Sequence, residues 1–225
     1  MRHELKYIIT PVQYQLLRSR LKATMHSDPY SDKNGEYFIR SIYFDTPDRS
    51  ALWEKLCGVD NRRKYRIRFY NGEYSKCTLE CKEKKGTRVR KTSEKLEEGK
   101  ASLLLSPDRV YSDINDNGIR GLAAVICMRG LVPIVTVDYI REAYVLPLSN
   151  LRITFDKSIA SGGVKDCLIY PQLMPNIMGE NMVLEVKYDE FIPEHISHIV
   201  AGINPVQTSA SKYVMCLEHR MKAFI

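Results

Sequence analysis

Charged and apolar side chains alternate along two successive strand-like segments, residues 62–71 and 74–84. Successive side chains of a β-strand point to opposite faces, so each segment has one charged face and one apolar face. The charged face carries Lys64, Arg66, Arg68, Glu80, Lys82 and Lys84. Residues 182–189 repeat the pattern with Glu185, Lys187 and Asp189. A polar face of this kind is typical of the solvated side of an antiparallel sheet. The alternation therefore predicts antiparallel strands, and it raises the question of whether their charged faces converge.

Composition limits the class of protein and of partner. A chain of 225 residues with 44% hydrophobic residues is long enough to bury a substantial core. No segment has the composition of a linker, so we predict one domain over residues 1–225. The formal net charge of +7 favours an anionic partner. Nucleic acid, acidic lipid and phosphorylated small molecules all satisfy that condition.

The cysteines and the apolar segments indicate the compartment. Six cysteines are scattered without a CxxC pair, which argues against a disulfide framework and against a zinc knuckle. A reducing environment fits this usage. The N-terminus opens as a strand rather than as a signal sequence, and no apolar run reaches the roughly 18 residues of a membrane-spanning helix. We therefore expect a cytoplasmic protein.

Local signals predict alternating strands and helices. Thr10 and Pro11 predict the start of a helix, because Thr caps helices well and Pro suits the first helical position. Asn71 and Gly72 predict a hairpin turn. Further helices are expected over 48–57, from Ser93, over 119–131, from Pro193 and from Lys212. The apolar stripe of the first helix is predicted to comprise Val12, Leu16, Leu17 and Leu21, and that of the second Leu52, Trp53 and Leu56.

Several common catalytic and phosphate-binding motifs do not occur in the sequence. It contains neither a GxxxxGKS or GxxxxGKT loop nor a GxGxxG turn, so any phosphate must be held by side chains. His195 and His198 are spaced i, i+3 and can in principle share a metal, but no carboxylate or cysteine stands at a matching spacing. No order of Ser, His and Asp suggests a nucleophilic triad. Hydrolysis by a covalent nucleophile is not indicated.

Eight short motifs, taken in order, resemble the VTC domain, the catalytic domain of polyphosphate polymerases within the CYTH-like triphosphate tunnel metalloenzymes. They span residues 4–213, so the resemblance covers nearly the whole chain. The motifs are Glu4-Leu5-Lys6-Tyr7, Ser41-Ile42-Tyr43-Phe44-Asp45-Thr46, Tyr65-Arg66-Ile67-Arg68, Glu80-Cys81-Lys82, Asp138-Tyr139-Ile140-Arg141, Leu151-Arg152-Ile153-Thr154-Phe155-Asp156, Leu184-Glu185-Val186-Lys187 and Ser211-Lys212-Tyr213.

The resemblance implies an α+β fold: an eight-stranded antiparallel β-barrel that forms a tunnel, with helices packed around the outside. The charged faces would then turn inward, and the apolar faces would meet the helices. The interior of so small a barrel admits only side chains or one slim ligand. A polyphosphate chain is such a ligand.

By resemblance, eight basic residues contact the phosphates during catalysis: Lys6, Arg66, Arg68, Lys82, Arg141, Arg152, Lys187 and Lys212. Three further residues are expected to bind substrate: Tyr139, Ser211 and, from the basic cluster at 88–91, Lys91. Glu185 is the expected ligand of Mn²⁺ or Mg²⁺. Glu4 and Glu80 either assist it or pair with neighbouring cations, and the sequence leaves both options open.

The implied activity is metal-dependent transfer of the γ-phosphoryl group of ATP to a growing polyphosphate chain. The attacking phosphate oxygen is already anionic, so no strong general base is needed. Members of the family in eukaryotes carry additional membrane domains. If this chain couples synthesis to export, a separate membrane protein would supply the transport.

Two alternatives stay open. The first is an inorganic or nucleoside triphosphatase of the same superfamily, whose ExExK motif binds metal. Arg2 stands here at the first acidic position, followed by Glu4 and Lys6, which favours the polymerase. The second is a non-catalytic module that binds polyphosphate, an inositol phosphate or RNA. The aromatic residues of KYRIRFY alternate away from the arginines and offer no stacking platform on the basic face, so nucleic acid is not expected.

Overall fold

A computed structural model of the chain describes residues 3–86, 88–106, 120–165, 167–168 and 174–222. Eight strands follow the order β1-β9-β8-β7-β3-β4-β5-β6, and the short β2 pairs with β7. Strand β1 pairs with β9, β8 pairs with β9, and β3, β4, β5 and β6 pair in succession, all in the antiparallel direction. The strands are β1 (His3–Ile9), β2 (His26–Ser27), β3 (Glu36–Asp45), β4 (Arg62–Tyr70), β5 (Cys77–Lys85), β6 (Arg88–Leu96), β7 (Val132–Leu146), β8 (Leu151–Gly162) and β9 (Met182–Tyr188).

Helices connect and flank these strands. Among the described residues they are α1 (Pro11–Thr24), α2 (Ser50–Leu56), α3 (Glu98–Leu105), α4 (Gly121–Met128), α5 (Glu194–Ala201) and α6 (Lys212–Lys222), with a 3₁₀ turn at Leu148–Asn150. The expected α+β class and antiparallel sheet are therefore present. Arg2, which stands at the first acidic position of the ExExK motif, and Ile119, where a predicted helix begins, lie outside the described residues.

The chain divides into two compact units, within which most of its contacts are made. The first unit comprises Met1–Phe38, Asp138–Ala160 and Asn176–Met215. The second comprises Ile39–Val137, Ser161–Pro175 and Cys216–Ile225. The single domain expected from the sequence stays a prediction.

In the first unit, α1 and α5 cover the apolar face of β1, β8 and β9. Leu17 and Leu21 of α1 and Ile196 of α5 are fully buried against strand residues that include Ile153 and Leu184. The alternation read from the sequence places these apolar residues on one face of the sheet. The charged residues of the same strands occupy the opposite face.

In the second unit, α3 and α4 cover the apolar face of β4 and β5. Leu104 and Ile126 pack in one cluster with Ile67, Phe69 and Leu79, all fully buried. The hairpin between β4 and β5 turns at Asn71 and Gly72, whose φ angles of 51° and 75° are both positive. Asn and Gly tolerate that conformation better than other residues do, which explains why the turn was predictable.

The start of α1 has the capping chemistry expected of Thr10. Its side chain accepts a hydrogen bond from the Gln13 N–H, and the Gln13 side chain accepts one from the Thr10 N–H, which forms a capping box. The predicted apolar stripe of α1 was wrong in part. Tyr14 is buried with Leu17 and Leu21, whereas Val12 is 70% exposed and Leu16 is also exposed.

Two other helix predictions need correction. In α2 only Leu52 is buried, and Trp53 and Leu56 are exposed. The segment beginning at Ser93 is the end of β6 rather than a helix, because β6 pairs with β5 as far as Leu96 opposite Cys77. Helix α3 begins afterwards, at Glu98. Pairing with a neighbouring strand here overrides the local helical pattern.

Candidate functional site

A cluster of charged side chains covers the polar face of the first unit. In the register of β1, β9 and β8, Lys6 lies opposite Glu185, and Glu185 lies opposite Thr154. In the next row Glu4 lies opposite Lys187, which lies opposite Arg152. We call this group the Glu185 cluster. It comprises the cations Lys6, Arg141, Arg152, Lys187 and Lys212 and the carboxylates Glu4, Asp28, Asp156 and Glu185.

Glu185 is buried among cations. Its side chain is 7% exposed, its Oε2 accepts a hydrogen bond from Lys187 Nζ at 2.8 Å, and its Oε1 lies 3.5 Å from Lys6 Nζ. Arg141 Nη2 lies 3.8 Å from Oε2. Burial by itself raises the pKa of Glu185, but Lys187 and Lys6 outweigh it, and the pKa lies well below its usual range. Glu185 is therefore an anion at any physiological pH.

Asp156 anchors two of the predicted phosphate-binding residues. It is fully buried, accepts two hydrogen bonds from Arg141, from Nε at 2.6 Å and Nη2 at 2.8 Å, and forms an ion pair with Lys212 Nζ. Burial raises the pKa of Asp156, but Arg141 and Lys212 reverse the effect and lower it to about 2. The two-pronged contact fixes the plane of the guanidinium group. Asp156 belonged to a quoted motif, but no role had been predicted for it.

Arg152 is held by two residues that the sequence did not single out. Its Nη2 donates to Asp28 Oδ2 at 2.5 Å and to the Tyr37 hydroxyl at 2.8 Å. Tyr37 in turn donates to Asp28 at 3.4 Å. Asp28 comes just after β2 and far from the other motifs in the sequence, so no strand pattern points to it. Asp28 and Tyr37 fix the direction of the Arg152 side chain.

Tyr139 contacts two of these cations, Arg141 and Lys212. Ser211 directly precedes Lys212 in the sequence. Arg141 and Lys212 lie over the Tyr139 ring, at 5.3 Å and 4.9 Å from its centroid. Ser211 directly precedes α6, and its carbonyl accepts a hydrogen bond from the Met215 N–H. Tyr139 thus contacts two cations of the Glu185 cluster, and its role in binding substrate stays a prediction. Its buried ring stabilises the two cations through cation–π contacts.

A second charged cluster lies within the second unit, around Glu80 of β5. Glu80 accepts a hydrogen bond from Arg66 Nε at 2.7 Å, pairs with Lys91 Nζ at 2.5 Å and lies 3.8 Å from Arg68 Nη1. Burial raises the pKa of Glu80, but Arg66, Arg68 and Lys91 together lower it to about 2. Arg66 also donates to the Tyr43 hydroxyl at 2.9 Å, and Arg68 donates to Ser41 Oγ at 3.2 Å. We call this group the Glu80 cluster.

Lys82 is on the same face as the Glu80 cluster. It lies opposite Lys64 of β4 and Lys91 of β6 in the strand register, and its side chain is exposed. Three lysines in one row repel each other unless an anion lies between them. The register thus brings the predicted residues Arg66, Arg68, Lys82 and Lys91 to one face.

Glu4, Glu185 and Glu80 are the carboxylates considered as ligands of a divalent cation. Among the described residues, no group of three His, Cys, Asp or Glu side chains could hold a metal ion. Mg²⁺ is usually bound by one or two carboxylates together with substrate phosphates, so a smaller protein contribution suffices. Glu4 and Glu185 fit this requirement, because both contact the same Lys6 ammonium, at 2.8 Å and 3.5 Å. Glu80 has three cationic neighbours, as Glu185 does, so its contacts do not distinguish a metal ligand from a counter-ion.

The exposed pair His195 and His198 lies on α5.

The chain belongs to the VTC domain family, whose profile matches residues 1–220. No curated protein matches the sequence. Among solved structures, the chain is similar to the PH1819 protein from Pyrococcus horikoshii, with 14% identity and a TM-score of 0.52 over 98% of this chain and all of that one. It is also similar to a putative adenylate cyclase from Bacillus halodurans, with 16% identity and a TM-score of 0.52 over 92% of each chain.

A third similar structure is the putative adenylyl cyclase HpAC1 from Hippeastrum, described as having a dominant triphosphatase activity. The identity is 18% and the TM-score 0.54, over 97% of this chain and 96% of that one. At these identities the likeness concerns the fold. It confirms the expected α+β fold with an eight-stranded antiparallel sheet.

Within the described part of the chain, no helix combines the length and the apolar character needed to cross a membrane.

Proposed function

We propose that this protein is a metal-dependent polyphosphate polymerase, which transfers the γ-phosphoryl group of ATP to the end of a polyphosphate chain. The observation that supports the proposal is the Glu185 cluster, in which five cations lie among four carboxylates and hold the pKa values of Asp156 and Glu185 low. Such an arrangement suits the binding of phosphates and the stabilisation of their charge rather than catalysis by a strong carboxylate base, because the pKa values of Asp156 and Glu185 are low. Phosphoryl transfer between phosphates needs only positioning and charge stabilisation.

The reaction balances without a general base. A terminal phosphate oxygen of the polyphosphate chain attacks the γ-phosphorus of ATP, and the bond from that phosphorus to the bridging oxygen breaks. ADP leaves with the electron pair and the chain is one phosphate longer. Arg141 and Arg152 are held by Asp156 and Asp28, so their remaining N–H groups are preorganised for nonbridging oxygens. Lys6, Lys187 and Lys212 contribute further positive charge.

Glu185 and Glu4 would hold the Mn²⁺ or Mg²⁺ ion, which supplies charge neutralisation between adjacent phosphate groups. In this role Lys6, which contacts both carboxylates, keeps them close together. Arg66, Arg68, Lys82 and Lys91 of the Glu80 cluster are proposed to bind phosphates as well. Tyr139 and Ser211 are proposed to add neutral donors.

The second candidate is a triphosphatase, in which water rather than phosphate is the acceptor. The likeness to HpAC1, with its described triphosphatase activity, favours keeping it. A catalytically inactive polyanion binder is the third outcome of the test below. We also propose a cytoplasmic site of action, in keeping with six cysteines that form no disulfide among the described residues, and a separate membrane-protein partner if the product is exported.

The direct test is incubation of the purified protein with ATP and Mn²⁺, followed by measurement of acid-insoluble phosphate polymer, ADP and orthophosphate. We expect one ADP to be released for each phosphate that is incorporated into the polymer. Orthophosphate without polymer would contradict the polymerase and support the triphosphatase. Absence of both products, with retained binding of polyphosphate, would support the inactive binder.

Glu185→Gln is the matched variant, because it keeps the shape of the side chain and removes its charge. Activity should fall by at least tenfold at low Mn²⁺, consistent with the loss of roughly 1.5–3 kcal/mol for one contact to a charged group. The control Glu190→Gln alters an exposed carboxylate just beyond β9 and should retain full activity. Normal turnover by Glu185→Gln at low metal would exclude Glu185 as a metal ligand.

A further inference from the structure

Thr154 lies on the same face of the sheet as the strand residues of the Glu185 cluster. Thr154 stands directly opposite Glu185 in the pairing of β8 with β9, and Arg152 and Asp156 flank it on the same face. The residue is 1% exposed. Within the described part of the chain its Oγ1 has no hydrogen-bond partner. Buried hydroxyl groups nearly always have one, so this exception needs an explanation.

The carboxylates beside Thr154 are already committed to cations. Asp156 accepts two hydrogen bonds from Arg141 and pairs with Lys212. Glu185 is engaged by Lys187, with Lys6 close by. The Thr154 O–H therefore points into a cation-rich group without an acceptor of its own. A hydroxyl in that position needs an oxygen acceptor, and the surrounding charge selects an anionic one.

We propose that Thr154 is a phosphate-binding residue whose hydroxyl donates a hydrogen bond to a nonbridging oxygen of the bound phosphate chain. The inference rests on the proposed function, and it adds to that function a neutral donor at a fixed position. Threonine is β-branched and its χ1 is restricted in a strand, so the hydroxyl is held in place before the ligand arrives. Lysine side chains nearby have no such restriction.

This role has a cost to the ligand-free protein. A buried hydroxyl without a partner destabilises the fold, whereas an apolar group of the same shape does not. Threonine at this position therefore serves binding at the expense of stability. A merely structural threonine would show the opposite relation, since its replacement would lower stability and leave ligand affinity unchanged.

The test compares tripolyphosphate binding by the wild-type protein and by Thr154→Val, measured by calorimetry, together with the ligand-free melting temperature. Valine has the same shape and lacks the hydroxyl. We expect affinity to fall roughly tenfold, the effect of losing one hydrogen bond to a charged acceptor. The ligand-free melting temperature should stay the same or rise. Thr154→Ser keeps the hydroxyl and should bind within about threefold of wild type.

Thr136→Val is the control, because Thr136 is equally buried but its hydroxyl donates to the Gly163 carbonyl at 2.6 Å. This variant should melt at a lower temperature and retain its tripolyphosphate affinity. If Thr154→Val does not fold, Thr154→Ala and Thr154→Ser give the same comparison of hydroxyl present against hydroxyl absent.

The outcomes separate this inference from the proposed function. Unchanged affinity of Thr154→Val, beside a wild type that binds tripolyphosphate, would overturn the role of Thr154 and leave the proposed function standing. A wild-type protein that binds no tripolyphosphate would overturn both.

Discussion

At the scale of single residues, Lys187 has the most sensitive charge of the Glu185 cluster. Its side chain is only 24% exposed, and its Nζ lies 2.8 Å from Glu185. Burial is the largest influence and lowers the pKa of Lys187, and Arg141 lowers it further, while Glu185 and Glu4 act in the opposite direction. The resulting pKa is about 8, more than two units below that of an ordinary lysine.

We expect the affinity for long-chain polyphosphate to fall as the pH rises through about 8. Lys187 is protonated below that pH and neutral above it, so one cation of the cluster is lost. Long chains are suitable because their internal phosphate groups stay ionised over this range. Isothermal titrations between pH 7 and pH 9.5 would measure the change, and Lys187→Arg, which stays charged throughout, should show a flatter profile. The same profile for both proteins would show that Lys187 does not act through its charge.

The lowered pKa of Lys187 also affects the free energy of unfolding, which changes with pH in the opposite direction to the affinity. A base whose pKa is lower in the folded protein than in the unfolded chain makes folding less favourable while it is protonated. The contribution of Lys187 to stability therefore rises as the pH increases from about 8 toward the pKa of unfolded lysine. Binding and stability thus change in opposite directions above pH 8.

Individual residues also show which contacts of the site could not be predicted from the sequence. Several residues predicted to bind phosphate, among them Arg66, Lys82 and Lys187, lie on the charged face of a strand, whereas Ser211 and Lys212 were named by resemblance alone and lie at the start of α6. Asp28 and Tyr37 were missed, since they contact Arg152 through the tertiary fold and share no period with it. Arg40 is the clearest case. It alternates with Ser41 and Tyr43, lies fully buried on the other face of β3 and donates to Tyr74 and to the Cys167 carbonyl. No local sequence pattern predicts that this arginine is buried.

At the scale of secondary-structure elements, the two faces of β4 provide an internal comparison. Arg66 and Arg68 contact Glu80 on the polar face, whereas Arg63 lies on the other face and pairs with the partly exposed Glu83 at 2.6 Å. We expect Arg66→Ala and Arg68→Ala each to weaken polyphosphate binding by at least tenfold, since each removes a contact to a charged group. Fluorescence or calorimetric titration would measure the loss.

Arg63→Ala is the control for these variants, because it removes the same side chain from the same strand. Its ion pair is exposed, so stability should change by less than about 1 kcal/mol. Its polyphosphate affinity should equal that of wild type. Equal weakening by all three variants would indicate that the effect follows from net charge and not from the face of the strand.

The elements themselves were predicted with different success for a physical reason. Strands with a period of two have only two faces, and charge identifies which face is which, so β4, β5 and β9 were predicted nearly to their ends. The side chains of a helix point in directions all around its axis, so the sequence pattern alone does not determine which side is buried. In α1 the buried side is set by the position of β8, which brings Phe155 against Tyr14 at a ring distance of 5.0 Å. That position cannot be read from the period of α1 alone.

At the scale of the whole molecule, buried carboxylates with low pKa values make stability sensitive to acid. The pKa values of Asp156 and Glu80 are both about 2 in the folded protein, below those of unfolded chains. The unfolded chain binds more protons between about pH 4.5 and pH 2, so stability falls as the pH falls through this window. Each carboxylate contributes on the order of 2–3 kcal/mol that is present above the window.

We expect the free energy of unfolding to fall steeply from pH 5 to pH 3, as measured by denaturant titration. Asp156→Asn should be less stable than wild type at pH 7 by about 3 kcal/mol or more, because Arg141 and Lys212 lose their buried counter-ion. The difference between the two proteins should shrink as the pH approaches 2. A constant difference at all pH values would show that Asp156 acts through packing and not through its charge.

The carboxylates interleaved among the cations have one more consequence, which concerns movement. A row of lysines and arginines alone would hold a polyanion so tightly that it could not advance or leave. Under the proposed function, a phosphate that arrives at Lys6 or Lys187 would instead displace Glu4 or Glu185 from that ammonium group, and the carboxylate would return when the phosphate leaves. The net change in Coulomb energy per exchange is small, because one anion substitutes for another at a similar distance. The cluster would then behave as an ion exchanger, along which a chain of any length can step by one phosphate at a time.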